Sequence, residues 1–186
     1  MMGLTEPAHP LHVAVAELFE DALPSGCVLI RDQDCGGAQR IPLFSSETKS
    51  RSTEYCKVDL LVLRNGRIKM IVEIEESGLE PMQVCGKFLT SALTHYYIHE
   101  LGDDEPIGMD DDVSFVQIMD SSKLKDKTSK IKQWRNIEES INKILPVKGS
   151  KIIKYRIFHG DASHFGNKER CKDLITFIRD LEGPPA

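Results

Sequence analysis

Asp59, Glu73 and Glu75 are carboxylates set inside two apolar runs, residues 58–63 and 68–75, which are separated by Arg64-Asn65-Gly66-Arg67. Strand interiors disfavour Asp and Glu because burial strips water from the charge. Acids kept there call for a compensating cation or for dense hydrogen bonding, and a divalent ion is the simplest compensation. The chemistry expected of the cluster is capture of a hard cation by two carboxylates and a main-chain carbonyl.

Whether the acids converge depends on the turn between the runs. A two-residue Asn65-Gly66 turn would set Arg64 opposite Arg67 and Asp59 opposite Val72, sending Glu73 to the other face. A three-residue loop with Gly66 left-handed would pair Leu63 with Arg67 and Asp59 with Ile71, leaving Glu73 as the diagonal neighbour of Asp59, roughly 7–8 Å away by backbone. The metal reading therefore expects the three-residue loop. It places Lys57, Asp59, Lys69, Glu73 and Glu75 on one face and Met70, Val72 and Ile74 on the other.

The elements around this hairpin follow from periodicity. Leu11, Val15, Leu18, Phe19 and Ala22 recur at helical spacing over residues 9–23, ended by Pro24 and Gly26. A short strand at Val28–Arg31 precedes a polar stretch, residues 32–53, which holds a strand near Ile41–Phe44. Leu79–Leu101 reads as a helix, with an acidic loop over residues 102–112 and a buried strand at Val113–Met119. A lysine-rich helix carries Ile131, Trp134, Ile137, Ile141, Ile144 and Leu145 and stops at Pro146. Lys151–His159 is a strand and Lys168–Leu181 a closing amphipathic helix. The order implies an α/β protein with a mixed central β-sheet and helices on both faces.

The chain has 186 residues, 40% hydrophobic and 28% charged, enough for one well-cored domain spanning residues 1–186. No apolar run approaches the roughly 18 residues of a spanning helix, and the N-terminus lacks a basic segment followed by an apolar one, so a cytoplasmic protein away from membranes is expected. Cysteines 27, 35, 56, 85 and 171 show no Cys-x-x-Cys spacing, which argues against a disulfide framework or structural zinc. The net charge of −5 is uneven: residues 1–120 carry 9 basic and 21 acidic side chains, whereas residues 121–156 carry 11 and 3. Such a basic block in an acidic chain fits a surface that meets a polyanion, or equally a solvated helix face.

A helix bearing a Glu, an antiparallel hairpin carrying Asp and then Glu-x-Glu, and a helix leading to a further strand together resemble the PD-(D/E)xK nuclease superfamily, to which many restriction endonucleases belong. The resemblance covers roughly residues 9–120 and implies a restriction-endonuclease-like αβββαβ core. Asp59 matches the family's Asp, Glu73 its second acid, Glu75 the position usually held by Lys, and Glu17 the optional helix Glu. Val58 stands where Pro often precedes the Asp. The resemblance implies a Mg²⁺-dependent endonuclease of restriction or defence type, with Mn²⁺ able to substitute, acting on DNA as a homodimer. It assigns the first ion to Asp59, Glu73 and the carbonyl of Ile74, with Glu75 and Glu17 positioning water or a second ion.

Glu at position 75 cannot supply the positive charge of a Lys, since it only accepts protons or binds metal. Lys87, on the helix after the hairpin, is the reserve source of that charge, with Lys57 and Lys69 as rivals. Lys123, Lys125, Lys127, Lys130, Lys132 and Arg135 are the expected phosphate contacts. The reading requires the carboxylate oxygens to converge and no internal ammonium group to take the ion's place.

Blander readings stand beside these. Lys57 opposite Glu73 would make an ordinary cross-strand ion pair, Glu76 would be the polar end of a strand, and Glu17 a solvated helix residue. His95 and His99, four apart on the expected helix, have no visible third ligand. Cys35-Gly36-Gly37 lacks the continuation of a phosphate loop, so no nucleotide cofactor is expected. A nuclease-like fold kept only as a nucleic-acid-binding or assembly module, with Glu75 reporting lost catalysis, is the alternative function.

Overall fold

In the computed structural model, residues 8–77, 79–100, 102 and 104–182 are described. The elements are helix α1 (Pro10–Ala22), strands β1 (Cys27–Arg31), β2 (Ile41–Phe44), β3 (Glu54–Val58), β4 (Leu60–Arg64) and β5 (Arg67–Glu75), helix α2 (Pro81–Ala92), strands β6 (Tyr96–Ile98) and β7 (Pro106–Asp120), helix α3 (Lys127–Ile144), strand β8 (Ile152–Gly160), and helices α4 (Ala162–Phe165) and α5 (Lys172–Arg179). The strands form one open, mixed-polarity sheet of eight strands flanked by helices, the α/β class expected. Antiparallel β1, β4 and β5 are followed by parallel β7 and β8, while the first part of β7 pairs with β6, which continues the sheet to β2 and β3. The path α1, β1, β4, β5, α2, β7 runs in αβββαβ order, with β2, β3 and β6 added.

Side-chain alternation splits the core into two layers. Leu61, Leu63, Ile68 and Ile71 pack with Val84 and Phe88 of α2 and Trp134 and Ile141 of α3. Leu60, Val62, Met70, Val72 and Ile74 pack with Leu11, Val15 and Phe19 of α1 and Leu174 and Ile178 of α5. Met70, Val72 and Ile74 thus share the face expected of them.

The hairpin departs from expectation in a way that matters for the site. Its turn has two residues: Arg64 pairs with Arg67, and Asn65 (φ 52°) and Gly66 (φ 72°) are both left-handed, the type I′ geometry that matches strand twist. The register then shifts between Leu63, opposite Ile68, and Val62, opposite Met70, so Lys69 is the extra residue of a β-bulge. The turn puts Glu73 on the wrong face, and the bulge returns it. Beyond the bulge Leu60 lies opposite Val72, and Asp59 N–H donates to Val72 O at 3.2 Å, which brings Asp59 alongside Glu73.

Other boundaries are corrected by pairing. The helix expected over 79–101 ends at Ala92; Tyr96, Tyr97 and Ile98, β-formers by side-chain shape, pair with β2 and β7, so His95 and His99 lie on no common helix. β7 begins at Pro106 rather than Val113, and three acids of the expected loop, Asp110, Asp111 and Asp112, are ion-paired on the strand. Lys69 pairs with Asp110 at 3.4 Å and with Asp112, and Lys151 pairs with Asp111. The closing helix is confined to Lys172–Arg179, with a 3₁₀ turn at Asp180–Glu182 and the extra short helix α4 before it.

β8 is an edge strand, and α3 covers it with side chains. Asn142 Nδ2 donates to Tyr155 O at 2.9 Å, Tyr155 N–H donates to Asn142 Oδ1 at 3.3 Å, and Ile157 N–H donates to Glu138 Oε2 at 2.8 Å. These bonds satisfy edge groups that would otherwise template a further strand.

Candidate metal centre

The chain parts from β5 at Asp59, where β3 and β4 meet at a bend: β4 belongs to the pairing with β5, and β3 to the pairing with β2. The last residues of β5 therefore extend beyond their antiparallel partner. Asp59 Oδ2 fills the gap by accepting from Ile74 N–H at 2.5 Å. A strand residue projects N–H and C=O to the same side, so the Ile74 carbonyl faces this gap too. Asp59, Glu73 and the Ile74 carbonyl are thereby gathered at the C-terminal end of β5, with Glu75 two residues further on.

Glu73 is 1% exposed and Glu75 8%, while Lys87 of α2 reaches both. Its Nζ lies 3.0 Å from Glu73 Oε2 and 2.5 Å from Glu75 Oε1. Lys87 is the reserve lysine of the sequence reading, and it reaches the site because α2 packs Val84 and Phe88 onto the same sheet face. An internal ammonium, which the metal reading required to be absent, therefore does occupy the Glu73–Glu75 side of the cluster, and only the Asp59 and Ile74 carbonyl side is left to an ion. Among the described residues, the one basic side chain within 4 Å of the Asp59 carboxylate is His12, whose Nε2 is 3.9 Å from Asp59 Oδ1.

Burial sets the electrostatics. It pushes the Asp59 carboxyl up to about 6, against the opposing pull of His12, the Ile74 N–H and Lys87. Glu73 is raised well above the ordinary carboxylate range, first by burial and then by repulsion from Asp59, more than Lys87 offsets. Glu75 is raised by burial, with Lys87 opposing. Burial alone would lower Lys87, but Glu73 and Glu75 hold it above its usual value, so it stays charged at neutral pH. Three acids against one ammonium leave negative charge in a desolvated place, which is what a bound cation relieves.

The other sequence candidates fall elsewhere. Glu17 is exposed on α1 and makes no contact with the cluster: it lies about 200° around the helix from the buried Val15. His12, aligned with Val15 and Phe19, is the α1 residue that turns inward at 6% exposure, and the same helical spacing would have found it. Lys57 pairs with Glu54 at 3.4 Å on β3, so neither the expected shared face nor the cross-strand pair with Glu73 forms. Lys69, at the bulge, goes to Asp110 and Asp112.

Glu76 is no idle strand end. Its Oε1 accepts from Leu11 N–H at 3.1 Å and faces His12 Nδ1 at 3.4 Å, and its Oε2 faces His9 Nδ1 at 3.3 Å. Burial would raise its carboxyl, but the hydrogen bonds from His12, His9 and the Leu11 N–H outweigh it and hold it low.

The basic block does not form one face. Lys123 and Lys125 lie in the exposed loop after β7, at the sheet end that holds the acids, and Lys127 opens α3 beside them. Lys130 is turned to Glu80 at 3.3 Å, and Lys132 lies on the side of α3 away from Trp134. Arg135 is exposed and borders a cleft of about 400 Å³ between α3 and the α4–α5 segment, which Trp134, His159 and Arg170 also line.

Compared with protein-family models, curated proteins and solved structures, the chain matches none of them. No helix among the described residues is long and apolar enough to cross a membrane.

Proposed function

We propose that the protein is a Mg²⁺-dependent phosphodiesterase of the PD-(D/E)xK type, an endonuclease acting on DNA in the cytoplasm, working as a homodimer where both strands are cut. The observation that carries the reading is the meeting of Asp59, Glu73, Glu75 and Lys87 at the end of β5, with all three acids driven up by burial.

Asp59, Glu73 and the Ile74 carbonyl would hold the ion, and Mn²⁺ would substitute for Mg²⁺. Bound there, a divalent ion supplies Lewis acidity to a phosphoryl oxygen and acidifies water. Glu75 orients the attacking water and accepts its proton, a task suited to a carboxylate raised toward neutrality. Lys87, held charged, offsets the negative charge that develops on the non-bridging oxygens. The positive charge absent at position 75 is thus supplied from α2. Lys123, Lys125 and Lys127 border the same end of the sheet and would meet the phosphate backbone.

Glu73→Ala should abolish nicking and cleavage of plasmid DNA in Mg²⁺ while far-ultraviolet circular dichroism remains that of the native protein. Unchanged cleavage by the variant would remove Glu73 from the chemistry and the reading with it.

The contact of Lys87 with both Glu73 and Glu75 favours a second reading, a nuclease-like fold kept as a nucleic-acid-binding or assembly module, its acids neutralised internally. Calorimetric titration with Mn²⁺ separates the two. Heat of binding lost in Asp59→Asn supports the enzyme, and silence at millimolar metal supports the module.

A further inference from the structure

His9, His12 and Glu76 lie beside the carboxylate cluster but are not part of it. Each offers one ligand atom, and these atoms all fall within 4.8 Å of one another. His9 Nδ1 is 3.3 Å from Glu76 Oε2 and His12 Nδ1 is 3.4 Å from Glu76 Oε1. Donors about 2.0–2.1 Å from a tetrahedral zinc-class ion are themselves separated by roughly 3.3–3.4 Å; the two contacts here reach different oxygens of Glu76, so the carboxylate would meet the ion through both. The ring centroids of His9 and His12 stand 5.3 Å apart at 68°, a spacing two imidazoles can keep on one ion.

The far sides of the rings carry the same message. His9 Nε2 is 3.8 Å from Asp34 Oδ1, and His12 Nε2 is 3.9 Å from Asp59 Oδ1. Both imidazoles thus turn Nδ1 to a common carboxylate and Nε2 to a carboxylate behind. Metal-bound histidines commonly donate their outer N–H to such a carboxylate; here both contacts are longer than a hydrogen bond, so the outer acids match that arrangement in direction only. The scaffold is firm. His12 is buried against the sheet and Glu76 is tied to Leu11 N–H, while His9 stands at the N-cap position of α1 with its side chain free of any capping bond.

We propose that His9, His12 and Glu76 form a transition-metal site for a zinc-class divalent cation, separate from the carboxylate site of Asp59 and Glu73 and touching it through the His12–Asp59 contact. Three protein ligands leave a fourth position for water or for an oxygen of a bound molecule. Two imidazole nitrogens and one carboxylate select such a borderline ion over Mg²⁺, whose ligands are oxygens. The site does not depend on nuclease activity.

The test is titration of chelator-stripped protein with Zn²⁺, and with Co²⁺ followed by its visible absorption. The expected result is one tight site, with Co²⁺ bands of a four- or five-coordinate, histidine-bound ion. Affinity should fall at least ~10-fold in both His9→Ala and Glu76→Gln and persist in Glu73→Gln. Glu76→Gln keeps an acceptor for Leu11 N–H, and circular dichroism checks each variant's fold. No binding below millimolar Zn²⁺ overturns the proposal, as does binding indifferent to both His9→Ala and Glu76→Gln, or lost only in Glu73→Gln. Because the readout is metal affinity, failure of the nuclease reading leaves this result standing, and the converse holds.

Discussion

Asp59 is the residue on which both candidate ion sites turn, since it bonds Ile74 N–H, adjoins Glu73 and faces His12. Its folded-state pKa of about 6 lies above the reference 3.8, so the folded protein holds this proton more tightly than the unfolded chain. The sign follows: the contribution to stability is fully present below about pH 4 and is lost as pH rises through 6. Relative to Asp59→Asn, whose amide stays neutral, the metal-free protein should lose on the order of 2 kcal/mol between pH 4 and 7, measured by urea denaturation at a series of pH values. A flat difference would show that Asp59 does not carry that strain. Added Mg²⁺ should raise the melting temperature mainly above pH 6, where the carboxylate is ionised and able to bind it.

At the scale of elements, the hairpin joins two devices of opposite effect. The type I′ turn alone sends Asp59 and Glu73 to opposite faces, and the bulge at Lys69 reunites them. Register, and with it the site, therefore rests on the bulge rather than on the tightness of the turn. Gly66→Ala, which forces a Cβ into φ 72°, should cost about 1 kcal/mol in denaturant unfolding and leave Mn²⁺ affinity unchanged. An equal loss of metal affinity would mean that the turn sets the register after all. The break between β3 and β4 is the second element-scale requirement: had β4 continued past Asp59, the Ile74 N–H and carbonyl would be spent on strand pairing.

For the whole molecule, parallel β5, β7 and β8 deliver their C-terminal ends to one side, so the acids, the Lys123–Lys127 segment and the start of α3 converge there from distant stretches of chain. Ligand sites of sheets with parallel strands commonly lie at this end. DNA affinity should fall steeply with salt, and Lys123→Ala and Lys125→Ala should each reduce the slope of log K against log salt by about 1, whereas Lys132→Ala should change it little. Equal effects at all three positions would mean that α3 meets DNA along its outer side.

The sequence by itself determined the α/β class, most of the strands and helices, and the three acids that meet at the end of β5, because side-chain periodicity and the cost of burying carboxylates are local properties. It also held the clue to His12, three residues before Val15 on the inward side of α1. The tertiary structure alone decided the rest. A bulge leaves no mark in composition, so the register of β5 followed from packing Met70, Val72 and Ile74 on α1 and Ile71 beneath α2. The segment Tyr96–Ile98 has helical spacing and strand-forming side chains alike, and the partners β2 and β7 chose between them. Lys87, one of three lysines the sequence offered, was chosen over Lys57 and Lys69 by distance across the fold, and Glu76 was found only there. A lysine two turns into a helix and a glutamate at a strand end become ligands or partners only when separate elements bring them against the same charge.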